Sequence, residues 1–179
     1  MIIDKYKAIF IHIPKNAGTS IEKYFSNESF RVQPEKHADI YEIKRKFKNS
    51  YNNYKKFTII RNPYDKMVSW YFYLKRNLGE KYNIIEFNDW IKDPSKFWHA
   101  NDPISYLKHQ HKWIDNTVKI IKFENLDKEL NSFFNEQINL PITNKSNHDH
   151  YLKYYNKESL NIIYDRYKED FEKFNYKKL

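Results

Sequence analysis

A cation, a small-residue turn and two hydroxyls stand side by side in Lys15-Asn16-Ala17-Gly18-Thr19-Ser20. Lysine neutralises negative charge, and a tight turn that opens a helix presents unpaired backbone N–H groups at a positive dipole end. Together these suit an anion. The same residues also make an ordinary strand–loop–helix corner, and the stretch alone leaves both readings open. Gly18 is one of only two glycines in the chain. In so glycine-poor a sequence it marks a backbone approach that a side chain would block. A second set lies in Thr58–Leu74, TIIRNPYDKMVSWYFYL. Arg61 offers a planar fork of donors and Ser69 a hydroxyl. Ser69 follows Asn62 by seven residues, about two helical turns, so the two share a face. Arg61 and Ser69 can hold one phosphate together. Equally, the Arg can pair with an acid and the Ser face solvent. Between the two stretches stands His37, in Lys36-His37-Ala38-Asp39. An imidazole titrates near pH ~6.5, which suits proton abstraction near neutrality, although a lone His is more often structural.

These groups need elements to carry them. Ala8–Ile13 is a short apolar run with β-branched residues, as a buried strand requires. Pro14 ends it, and Ile21, Tyr24 and Phe25 follow at helical spacing. Phe30–Gln33 reads as a short strand. Asp39–Lys48 reads as a helix with Ile40, Ile43 and Phe47 on one face, broken by Ser50–Asn53. Phe57–Ile60 is a second apolar strand that ends at Arg61, the ligand edge of an open α/β sheet. Asn62 as N-cap, Pro63 at the first helical position and Asp65 in the first turn start a helix that runs to near Gly79. Ile84–Lys92 is predicted helical, and Phe97–Tyr106 irregular. Thr117–Phe123 reads as a third strand, Glu124–Gln137 as a helix, and Lys157–Phe174 as a last helix striped by Leu160, Ile163, Tyr167, Phe171 and Phe174. Buried strands alternating with helices imply an α/β fold with a central, mainly parallel β-sheet flanked by helices.

Composition narrows the function. A chain of 179 residues without repeat or linker reads as one domain, 1–179. With 40% hydrophobic and 18% aromatic residues it is a folded chain, not a disordered one. The net charge of +9 fits an anionic partner such as a nucleotide, a sulfated sugar or a nucleic acid, although most of the lysines read as solubilising surface. The chain has no Cys, which excludes disulfides and cysteine-based catalysis or metal binding. MIIDKYKAIF has no basic region followed by a long apolar run, and no segment has the length of a membrane span, so a cytoplasmic protein is expected.

Strand–PKNAGTS–helix, followed some forty residues later by strand–RNPYDKMVSWY–helix, resembles the PAPS-dependent sulfotransferases. The resemblance is closest to the carbohydrate (type 2-like) branch, whose bacterial members carry a PKTAGTS loop. Asn16 stands where Thr is common. Later blocks are similar too: Gln110…Trp113-Ile114, Lys122–Leu126, Asn144-Lys145-Ser146 and Tyr167…Asp170…Phe174-Asn175-Tyr176. The resemblance implies a P-loop-like three-layer fold. It implies that Lys15, Asn16, Ala17, Gly18, Thr19 and Ser20 bind the 5′-phosphosulfate of PAPS, and that Arg61 and Ser69 bind its 3′-phosphate. By analogy with related glycan sulfotransferases, His37 is the general base. The implied reaction moves the sulfuryl group of PAPS in line to an acceptor hydroxyl and releases PAP. Lys15 would neutralise charge on the leaving oxygen. A sulfuryl group carries less charge than a phosphoryl group, so no metal is expected. The acceptor is expected to be a glycan or another hydroxyl-bearing small molecule, met by the poorly readable residues 80–112. Asn144, Lys145 and Ser146 are candidates for the adenine and 3′-phosphate pocket, and Trp98 for sugar stacking.

Other groupings have plainer readings. His109-Gln110-His111 and His148-Asp149-His150 lack a further ligand at diagnostic spacing and read as surface pairs. Lys44-Arg45-Lys46 reads as a solvated helix face. A P-loop kinase or NTPase is an alternative, but Lys15 precedes Gly18 and no magnesium-binding Asp ends the Phe57–Ile60 strand. A nucleic-acid-binding module is allowed by charge, but no recognition motif accompanies it.

Overall fold

The apolar runs predicted as strands pair side by side. The computed structural model describes residues 1–26, 30–31, 37–78, 85–97, 106–143 and 148–179. Among the described residues the main elements are β1 (Ile2–Ile3), β2 (Ala8–Ile11), α1 (Gly18–Phe25), β3 (Phe30–Arg31), α2 (Ile40–Lys46), α3 (Lys48–Asn53), β4 (Lys55–Ile60), α4 (Pro63–Leu78), α5 (Phe87–Trp90), β5 (Val118–Lys122), α6 (Leu126–Phe134) and α7 (Lys157–Lys173). They divide into two units, Met1–Arg61 with Gln110–Asn144, and Asn62–His109 with Lys145–Leu179.

The first unit holds the sheet, in the order β3-β1-β2-β4-β5. β2 and β4 pair parallel with Phe10 opposite Phe57, and β4 and β5 pair parallel with Thr58 opposite Ile120. The fold class is therefore α/β with a mostly parallel sheet flanked by helices, as the sequence pattern predicts. The antiparallel edge was not predicted. β1 is too short to show a pattern, and it returns onto β2 because Lys7 adopts a left-handed conformation (φ 44°) after a 3₁₀ turn at Asp4–Tyr6. Phe10, Ile21, Phe25, Phe57, Ile59, Ile121 and Leu130 form one buried core between the sheet and its helices.

Two helix boundaries differ from expectation. Asp39 caps α2 through a capping box with Glu42, so this helix starts one residue inside the predicted span. The Ser50–Asn53 stretch does not break the helical region but lies within α3. Tyr51 is the reason: its ring is buried and its hydroxyl donates to Asp115 Oδ2 at 2.9 Å, which outweighs the weak helix propensity of Ser and Asn. The predicted Phe30–Gln33 strand is described only at Phe30–Arg31. No helix among the described residues is long and apolar enough to cross a membrane.

The second unit is helical among its described residues. The Asn62 side chain accepts from Tyr64 N–H at 3.0 Å, so α4 starts where its cap signal says. α7 likewise starts at a cap, with Asn156 and Ser159 exchanging bonds. Tyr64, Met67, Trp70 and Tyr71 of α4 share a core with Ile163, Tyr167 and Phe171 of α7. The predicted Ile84–Lys92 helix shrinks to the short α5, anchored by buried Phe87 and Trp90.

Candidate functional site

β2 and β4 are parallel neighbours, so their C-terminal ends lie at one edge. The first unit's chemical groups collect there, at the edge where open α/β sheets bind ligands. From β2 the chain runs through His12, Ile13 and Pro14 into the Lys15–Ala17 loop and then α1. Lys15 (φ 68°) and Ala17 (φ 60°) are both left-handed, with Asn16 between them. Alternating handedness turns successive backbone N–H groups toward a common side, the backbone form in which anion-binding concavities occur. Left-handed backbone in a non-glycine residue costs ~1–2 kcal/mol and needs restraint. Here Ser20 and Ile21 N–H bond Ala17 O at 3.0 and 3.2 Å, and the Arg61 guanidinium donates to Lys15 O at 3.1 Å. No side chain caps α1.

Each predicted residue of the loop has a distinct placement. Lys15 and Thr19 are half-buried. Asn16 is fully buried, and its amide donates to Ile59 O and to Gln110 Oε1, both at 2.7 Å. Its side chain is therefore engaged inside the fold. Ser20 Oγ pairs with Thr143 Oγ1 at 2.9 Å, which ties the loop to the segment before Asn144. Gly18 is needed for a reason internal to the protein: a Cβ there would fall into the His12 imidazole. Arg61, at the end of β4, is 8% exposed, and its guanidinium lies 4.2 Å from the Phe123 ring centre, beyond β5. Ser69 is buried on α4 in the second unit. Asn144, Lys145, Ser146 and Trp98 lie outside the described residues.

His37 packs against His12 edge-on, ring centres 4.5 Å apart, with Trp113 beyond at 6.5 Å. Its Nδ1 lies 3.1 Å from the His12 carbonyl oxygen. A carbonyl only accepts, so Nδ1 carries the proton, and in the neutral ring Nε2 keeps its lone pair. His12 is itself 4% exposed and its Nδ1 meets Glu22 Oε1 of α1 at 3.1 Å. His12 and Glu22 are the residues that sequence reasoning passed over, and Gln110 was named there only as part of a later family block. His12 had one signal, a polar residue inside the apolar run AIFIHIP; Glu22 had none.

Of the two histidine pairs, His148 and His150 have local work. Gln110, between His109 and His111, is bound to Arg61. His148 stacks on Phe72 at 5.1 Å, and His150 caps the 3₁₀ turn at Tyr151–Tyr154 through Leu152 N–H.

A protein-family model described as the sulfotransferase family matches residues 1–113. No curated protein and no solved structure gives a match. The matched span contains the glycine-bearing loop, His37, Arg61 and Ser69, and it covers more than half of the chain; this protein belongs to the sulfotransferase family.

Proposed function

We propose that the protein transfers the sulfuryl group of PAPS to an acceptor hydroxyl, on a carbohydrate or another hydroxyl-bearing small molecule, with both units serving as one domain, 1–179. The observation that supports this reading best is the gathering of the left-handed Lys15–Ala17 loop, Arg61 and His37 at the C-terminal edge of parallel strands. In this reading the loop N–H groups, with the Thr19 and Ser20 hydroxyls, hold the 5′ end. Arg61 and Ser69 hold the 3′-phosphate.

His37 Nε2 takes the proton of the acceptor hydroxyl. The acceptor oxygen forms its bond to sulfur as the bond from sulfur to the 5′-phosphate oxygen breaks. The electron pair stays with that oxygen, and Lys15 stabilises its charge. PAP then leaves. No metal is invoked, because the transferred group carries little charge.

The test is transfer of labelled sulfate from PAPS across a panel of sugars, lipids and small alcohols. His37→Ala is expected to lower kcat by about 10²–10⁴, and Lys15→Ala by about 10²–10³. Arg61→Ala is expected to raise the KM for PAPS. Each variant should keep its circular-dichroism spectrum. Wild-type turnover in any one of them removes that residue from its role, and no transfer to any acceptor sinks the reading.

A further inference from the structure

Two anion-binding segments far apart in sequence serve one two-phosphate ligand only if their spacing is fixed. Gln110 supplies that restraint in the first unit. It is 1% exposed and opens the 3₁₀ turn Gln110–Trp113. Its Oε1 accepts from Arg61 N–H at 3.0 Å, and its Nε2 donates to Arg61 O at 2.8 Å. A single side chain thus pairs with both backbone groups of Arg61, as a neighbouring strand would, one residue past the end of β4. The same Oε1 accepts from Asn16 Nδ2, whose second acceptor is Ile59 O on β4. Arg61 closes the circuit by donating from its guanidinium to Lys15 O.

Both amide orientations are set by chemistry. Arg61 offers one donor and one acceptor, so Gln110 has one satisfying orientation. Asn16 faces two acceptors, so its NH₂ must point at them. Its carbonyl Oδ1 is then left buried with no partner. A fold selected for stability alone would satisfy that atom.

We infer that Gln110 is a positioning residue that fixes the Lys15–Ser20 loop and Arg61 in one register, so that a nucleoside 3′,5′-bisphosphate meets both segments at once. This rests on the sulfotransferase reading. The residue does not touch the ligand; it acts through the backbones of Arg61 and, via Asn16, the loop. Losing it removes one restraint from each segment.

The experiment measures the binding of adenosine 3′,5′-bisphosphate, adenosine 5′-monophosphate and adenosine 3′-monophosphate by calorimetry, below the melting temperature of each variant. Gln110→Ala is expected to weaken each monophosphate about tenfold, the worth of a lost buried hydrogen bond, and the bisphosphate by about the product of the two. Gln110→Glu keeps the acceptor for Asn16 and Arg61 N–H but loses the donor to Arg61 O, and should fall between wild type and Gln110→Ala if it folds. In turnover, Gln110→Ala should raise the KM for PAPS and leave the KM for acceptor unchanged. Asn16→Ala combined with Gln110→Ala should be less than additive, because the two share a bond. Weakening of only one monophosphate, or of neither, overturns the two-segment role. A rise in the acceptor KM alone does so too. A wild-type chain that binds none of the three overturns the sulfotransferase reading and this inference with it.

Discussion

Gly18 shows how one residue's chemistry depends on a neighbour the sequence does not announce. Its missing Cβ leaves room for the His12 imidazole, which reaches Glu22 through Nδ1 and holds His37 through its own carbonyl. Gly18→Ala should therefore displace His12 and destabilise the fold by about 1–3 kcal/mol, the usual effect of overpacking. Adding His12→Ala should recover part of that stability by opening space, without restoring transfer. Thermal melts of the single and double variants read this directly, and an undisturbed melting temperature in Gly18→Ala sinks it. The importance of Gly18 was legible from the rarity of glycine; what it accommodates was not, because His12 meets it across the Pro14–Ala17 turn. Asn16 gives the complementary case. By position it reads as a ligand residue, yet its amide is bound to Ile59 O and Gln110. Position in a loop says where the backbone goes, and burial decides what the side chain does.

At the scale of elements, local signals work where the chain bonds to itself. The Asn62 cap was readable because donor and acceptor lie within a few residues, and the Asn156 cap and the Asp39 capping box are equally local. α3 was missed because Tyr51 is held by Asp115, across 64 residues. α4 carries a further group with no surface signature. Lys66 is 2% exposed and donates from Nζ to Tyr106 O at 3.1 Å. Burial lowers its pKa to about 8, against the opposing pull of the buried Asp170 carboxylate. Unfolding exposes the amine, which then binds its proton up to the ordinary 10.5. Between pH ~8 and ~10.5 the unfolded state holds more protons, so this group's contribution to stability rises with pH across that window. The melting temperature of wild type relative to Lys66→Met should accordingly increase from pH 8 to pH 10. A flat difference would mean that Lys66 is not desolvated.

For the whole molecule, charge and ligand are linked. A net charge of +9 favours a multiply charged anionic ligand. Saturating adenosine 3′,5′-bisphosphate, at about a hundred times its Kd, should stabilise the protein by about 2.7 kcal/mol, seen as a rise of several degrees in melting temperature. Raising the salt should shrink that rise, since screening weakens exposed charge interactions. A melting temperature indifferent to the bisphosphate would argue against the donor assignment. By itself the sequence determined the α/β class, the strand-end location of Lys15 and Arg61, and the family. Each follows from local periodicity, from cap chemistry or from a contiguous motif. Only the tertiary structure decided that β2 and β4 are neighbours, that Gln110 ties Arg61 to Asn16, and that His37 keeps its Nε2 lone pair because its Nδ1 proton goes to the His12 carbonyl. These are bonds between residues 25 to 94 positions apart, and no window of sequence contains both partners.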